Sequence, residues 1–140
     1  MTTRPLTLTT PDRTTLGRLL ASRNAANDEA RTMADLIIGL NGSVVVGSSD
    51  VPPSVVTLNS RVRVRTLGTD AERELTVVTG QSDLGRGRVS VLTPVGSALL
   101  GRREGDVVEC DAPAGRFKVR IEAVLYQPEA AGDEVDAAAA

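Results

Sequence analysis

The chain has 140 residues, 41% hydrophobic and 24% charged, with a formal charge of −2, which suits one ordinary globular domain or a domain with a small appendage. It has no histidine, a single cysteine (Cys110) and only two aromatic residues, Phe117 and Tyr126. These counts exclude Ser-His and Cys-His catalysis, histidine-ligated zinc, phosphohistidine chemistry and an intrachain disulfide, and they argue against base-stacking platforms and aromatic-lined peptide pockets.

Taken in chain order, MTTRPLTLTT lacks the apolar core of an export signal. No apolar run approaches the ~20 residues of a membrane span, so a cytoplasmic location is expected. Thr10-Pro11-Asp12 places a capping hydroxyl, a first-turn proline and a first-turn acid ahead of Leu16, Leu19 and Leu20, which share one helical stripe. The pattern breaks at RNAAND (23–28). A second helix then starts at Asn27, with Ala30, Met33, Ala34 and Ile37 on its apolar side and Asn41-Gly42 as its stop. Two such helices with a short join predict an antiparallel hairpin over 1–47, its arms about 15–20 Å long at 1.5 Å per residue.

GSSDVPPS (47–54) reads as a linker. Beyond it the period becomes two, giving strands at RVRVR (61–65), ERELTVV (72–78), RVSVL (88–92), DVVEC (106–110) and RFKVRIEAVLY (116–126). Alternation predicts that Phe117, Val119, Ile121, Ala123 and Leu125 share one face of the last strand. Arg61, Arg63 and Arg65 form a wet face that Glu72 and Glu74 can meet across an antiparallel pair. Between strands three and four, Thr93 caps and Pro94 opens a short helix with Ala98, Leu99 and Leu100 on its apolar side. Gly101 ends it, and Gly105-Asp106 and Pro113-Ala114-Gly115 turn the chain into the last two strands. The expected class is α+β: a short helical hairpin (1–47), a mostly antiparallel β-domain with one short helix (48–128) and a flexible tail (129–140).

No phosphate loop is present: GRGRVS (85–90) lacks the third glycine and a following helix, and there is no GxxxxGK[ST] pattern. The near-neutral charge gives no electrostatic reason to expect nucleic acid. Cys110, in a strand, reads as an inert buried thiol.

The stretch VSVLTPVGSALLGRREGDVVECDAPAGRFKVRIEAVLYQPEAAGD carries Pro94-Val95-Gly96-x-Ala98-Leu99-Leu100-Gly101, then Gly105-Asp106, Pro113-x-Gly115 and the ending Tyr126 to Asp133. In this combination it resembles the C-terminal domain of the GreA/GreB transcript-cleavage factors, in particular their Rnk-type branch, the regulators of nucleoside diphosphate kinase. VVTLNSRVRVR (55–65) resembles the entry to the same domain, and the likeness runs from about Val51 to Asp133.

The resemblance implies an FKBP-like β-fold behind a coiled-coil hairpin, and binding to bacterial RNA polymerase at the mouth of its secondary channel. It makes Thr93, Pro94, Val95 and Gly96 candidate polymerase contacts; the same residues also read simply as the start of a helix. Cleavage factors of this kind reach down the channel with a long hairpin whose acidic tip helps hold a metal, which requires oxygen ligands. Here the loop offers Asn24, Asn27, Asp28 and Glu29. Asp28 and Glu29 read first as first-turn acids that complement the helix dipole, with Mg²⁺ placement as the alternative.

The resulting expectation is a non-enzymatic transcription regulator that competes with Gre-type factors without cleaving RNA. It needs no cofactor, metal site or small-molecule substrate, and makes no membrane or sequence-specific nucleic-acid contact. A divergent cleavage factor and a scaffold for another protein are the rivals. Prolyl isomerisation lacks its aromatic pocket, and nucleoside diphosphate kinase chemistry lacks its histidine.

Overall fold

The structure, a computed structural model, describes residues 5–22, 28–112 and 115–132, except for the side chains of 22 and 28–31. The chain begins with a feature that helical periodicity does not show. Strand β1 (Thr7–Thr9) pairs in parallel with β2 (Val44–Val46), Thr7 opposite Val44. Between them lie α1 (Thr10–Ser22) and α2 (Asp28–Asn41). The expectation of a purely helical 1–47 is corrected to a βααβ unit. Its strands are only three residues long, too short for alternation to register in sequence.

The cap of α1 lies one residue earlier than the sequence suggests. Thr9 Oγ1 accepts the Asp12 N–H at 3.2 Å, while the Thr10 hydroxyl donates to the Val46 carbonyl at 3.4 Å and ties the helix start to β2. On α1, Asp12, Thr15 and Leu16 are buried. On α2 the buried residues are Thr32, Met33 and Leu36, whereas Ala34 is exposed and Ile37 and Ile38 are 46% and 71% exposed. The expected stripe through Ala34 and Ile37 is therefore rotated. The cause is that α2 packs against both α1 and the short helix α3 (Pro94–Leu99), not against α1 alone. At Gly39 an added Cβ would come 2.7 Å from Leu6 Cδ1, so a larger residue there would displace the Leu6 side chain that precedes β1.

The 47–54 stretch is a series of turns, not an open linker. Asp50 N–H bonds Gly47 O at 2.9 Å, Val55 N–H bonds Pro52 O at 3.1 Å, and Val51 and Val55 are buried. The β-domain that follows contains β3 (Arg61–Thr66), β4 (Glu72–Val78), β5 (Arg88–Ser90), β6 (Val107–Ala112) and β7 (Gly115–Tyr126). Their order across the sheet is β5-β4-β3-β7-β6, antiparallel throughout except for the parallel β4–β5 pair.

On one face of this sheet Val62, Val64, Leu75, Val77, Val108, Cys110, Val119 and Ile121 form the core. Leu99 and Leu100 join them, as do Leu8, Leu16, Met33 and Leu36 from the βααβ unit. On the other face Arg63 pairs with Glu72 at 3.1 Å, Arg65 with Glu72 at 3.1 Å and Glu122 at 2.7 Å, and Arg61 with Glu74.

Strand β7 departs from simple alternation. Opposite β3, Val64 faces Ile121 but Arg63 faces Ala123, and Val62 faces Val124 but Arg61 faces Tyr126. Each shift is a bulge, which leaves Glu122 and Leu125 as the extra residues. The core face therefore continues through Val124, while Leu125 and Tyr126 are each 39% exposed. Nor does the chain loosen at 129: α4 (Pro128–Ala131) follows at once. Gln127 anchors it, its Nε2 donating to the Pro52 and Val55 carbonyls at 2.8 Å each. The expected tail beyond 132 lies outside the described residues.

Candidate functional site

The corner at Thr93–Gly96 is built by interlocking short-range bonds. Thr93 N–H and Thr93 Oγ1 both donate to the Ser90 carbonyl, at 3.0 and 2.7 Å, and Oγ1 accepts the Gly96 N–H at 3.2 Å. Pro94 occupies the first helical turn, where its missing N–H costs nothing. Ser97 Oγ donates back to the Pro94 carbonyl at 3.2 Å.

Beneath the corner Gly96 is buried. A Cβ on it would lie 2.0 Å from Ser90 O and 2.7 Å from Ser90 C, so the helix can approach β5 only without a side chain there. Leu99 and Leu100 fill the core, and Gly101, at φ 77°, turns the chain so that its N–H reaches Val56 O at 2.8 Å.

Of the four expected contact residues, Thr93, Pro94 and Val95 are half-buried and face outward in part. Gly96 lies beneath them and sets their position instead of offering a surface. The turn at Gly105-Asp106 is closed by Asp106 Oδ2, which accepts the Arg103 N–H at 2.9 Å. Pro113 and Ala114 lie outside the described residues.

The acids of the expected hairpin tip are not part of this corner. Asp28 and Glu29 open α2, their side chains lying outside the described residues, as Asn24 and Asn27 do entirely. Helices of 13 and 14 residues are each about 20 Å long. Among the described residues no cluster of three histidine, cysteine, aspartate or glutamate side chains could hold a metal ion.

A shallow cavity between the βααβ unit and the β-domain is lined by Pro5, Thr7, Val44, Gly101, Arg102, Arg103 and Asp106, without an aromatic ring. Phe117 packs against the core near the start of β7 and Tyr126 is exposed at its end, so the two rings do not share a cavity. Burial pushes the Cys110 thiol up to about 11, with a smaller push from Glu109, so it is neutral and shielded at physiological pH.

A cluster of buried and half-buried polar groups that sequence reasoning does not bring together lies outside this corner. Asp12, Thr57, Ser60, Gln127 and Glu129 come together across three segments. Asp12 carried a signal only as a first-turn acid and GlnProGlu at 127–129 only as part of the recognisable ending, and neither said anything of burial.

Comparison with known proteins agrees with this geometry. The family model described as "Transcription elongation factor, GreA/GreB, C-term" matches residues 51–126. Transcription elongation factor GreA of Clostridium beijerinckii is 37% identical over 101 residues, covering 69% of this chain and 63% of that protein. The regulator of nucleoside diphosphate kinase of Escherichia coli K12 is 38% identical over 96 residues, covering 67% of this chain and 71% of that one. A solved structure of a GreA/GreB transcription elongation factor from Nitrosomonas europaea superposes with a TM-score of 0.72 at 35% identity, covering 88% of this chain and 99% of its own. The chain thus spans 63% of the length of the GreA relative.

Proposed function

The chain belongs to the GreA/GreB family of transcription elongation factors, and from that premise we propose that it binds bacterial RNA polymerase at the rim of the secondary channel and competes there with Gre-type factors without promoting transcript cleavage. The observation that carries this reading is the length of the helical arms. At 13 and 14 residues, about 20 Å each, they hold Asp28 and Glu29 too near the β-domain to reach a catalytic centre deep in a channel. Docking is assigned to the α3 corner, where Thr93, Pro94 and Val95 are held rigidly at the surface by the Ser90 and Gly96 bonds. A preorganised corner loses little conformational freedom on binding.

Two assays test the proposal. The purified chain is expected to capture core RNA polymerase, Pro94→Arg to abolish that capture, and a stalled elongation complex to show no added cleavage. Stimulated cleavage that disappears in the Asp28→Ala, Glu29→Ala double variant would replace this reading with that of a divergent cleavage factor placing Mg²⁺. Failure to capture polymerase would favour a scaffold for some other protein.

A further inference from the structure

Asp12, in the first turn of α1, is only 1% exposed. Its Oδ2 accepts the Leu58 N–H at 2.9 Å, a bond between residues 46 apart in sequence. Glu129 of α4 reaches the same segment. Its Oε1 accepts the Thr57 hydroxyl at 2.7 Å, and its Oε2 is buried with no hydrogen-bond partner. Thr57 is held in turn by Ser60: the Thr57 N–H donates to Ser60 Oγ at 2.8 Å, and the two hydroxyls lie 2.8 Å apart.

Among the described residues the charged group that acts on Asp12 is Glu129. The 55–60 segment presents Thr57, Leu58 and Ser60, and β1 presents Thr9, all neutral; on α1 itself the neighbouring Arg13 is exposed. Two carboxyl groups therefore share a desolvated region with an orphaned acceptor, and among the described residues no cation acts on Asp12. Two ionised carboxylates in such a place repel each other and lose their hydration, and a proton relieves both penalties.

We propose that Asp12, Thr57 and Glu129 form an acid-tightened latch between the βααβ unit and the β-domain. A proton on Asp12 closes it, and loss of that proton leaves a buried charge facing the half-buried Glu129, which loosens α1 and α4 from the 55–60 segment. This device stands whether or not the chain binds polymerase.

The electrostatics set its direction. The Asp12 carboxyl is pushed up from 3.8 to about 6, first by burial; the Leu58 N–H opposes this, Glu129 adds to it and Thr9 opposes it. A folded-state value above the unfolded one gives stability that is complete below the unfolded value and is lost as pH rises through the folded one. Acidification from pH 7.5 to 5 should therefore raise the folding equilibrium constant about tenfold, where an ordinary salt-bridged carboxylate would do the reverse.

The test combines denaturant unfolding of the full chain at pH 7.5, 6 and 5 with a carbon NMR titration of the Asp12 carboxyl. The wild type should gain its tenfold and titrate near 6, Asp12→Asn should lose the gain, and Glu129→Gln should lower the Asp12 midpoint. A midpoint below about 4.5, a wild-type profile no different from that of Asp12→Asn, or a midpoint unmoved by Glu129→Gln would each overturn the latch. Should Asp12→Asn fail to fold, the titrations of wild type and Glu129→Gln decide the matter.

Discussion

A Cβ placed on Gly96 would press into the Ser90 carbonyl from 2.0 Å, and this obstruction is backbone that cannot swing aside like a side chain. Gly96→Ala must therefore lift α3 off β5 or shift the Ser90 peptide, at a cost of about 3 kcal/mol. Pro94 lies on the half-open side of the same corner, so Pro94→Arg should change stability by less than about 1 kcal/mol. Urea midpoints of the two variants check this contrast. A tolerated Gly96→Ala would mean that the corner is not held against β5 as described. Here the sequence was informative in part: ThrProValGly announces a cap, a first-turn proline and a flexible position. That Gly96 is required by a close approach to Ser90, and not by a left-handed turn, depends on a strand crossing that no local pattern encodes. The same limit hid Asp12. A first-turn acid normally marks an exposed helix start, and its burial arises only when the 55–60 segment and α4 fold over it.

Among whole elements, legibility followed length and regularity. The six residues of β3 alternate cleanly, and their arginines meet Glu72 and Glu74, directly across the antiparallel register for Arg65 and diagonally for Arg61 and Arg63. Such exposed pairs each contribute at most about 1 kcal/mol, so they specify register more than they stabilise. The twelve residues of β7 alternate just as cleanly in sequence yet do not keep one face, because the two bulges against β3 each insert a residue. Alternation puts Leu125 inward and Val124 outward; the register does the opposite. Leu125→Lys is therefore expected to cost less than about 0.5 kcal/mol, and Val124→Lys about 2 kcal/mol or more, since the latter desolvates an ammonium against the core. Equilibrium unfolding of the pair reads the answer directly, and equal losses would remove the bulges from the account. The rotation of α2 has the same origin: with α3 as a second neighbour, the buried side moves to Met33 and Leu36, and Ile37 and Ile38 are left outside.

In the whole molecule, the composition break near residue 47 suggests two parts, but the buried side chains form one body. Leu8, Leu16, Met33 and Leu36 belong to the same core cluster as Val62, Val77 and Ile121. Hydrogen bonds reinforce the join: Thr7 N–H reaches Gly101 O at 3.1 Å and Leu58 N–H reaches Asp12. A βααβ unit with three-residue strands and short helices buries too little by itself to offset its ordering entropy. The β-domain likewise would expose Leu99 and Leu100 if that unit left. Cooperativity is then forced by packing. Leu36→Ala, which lies far from β7 in sequence, should lower stability by about 2–4 kcal/mol and move the unfolding of both halves together. Far-UV circular dichroism follows the helices, and the fluorescence of Tyr126, the single tyrosine, follows the end of β7. Coincident transitions in wild type and variant are expected. A helical signal that melts while Tyr126 fluorescence holds would show that the shared core does not couple the two parts, and the corner at Thr93–Val95 would then be free to act without the helices behind it.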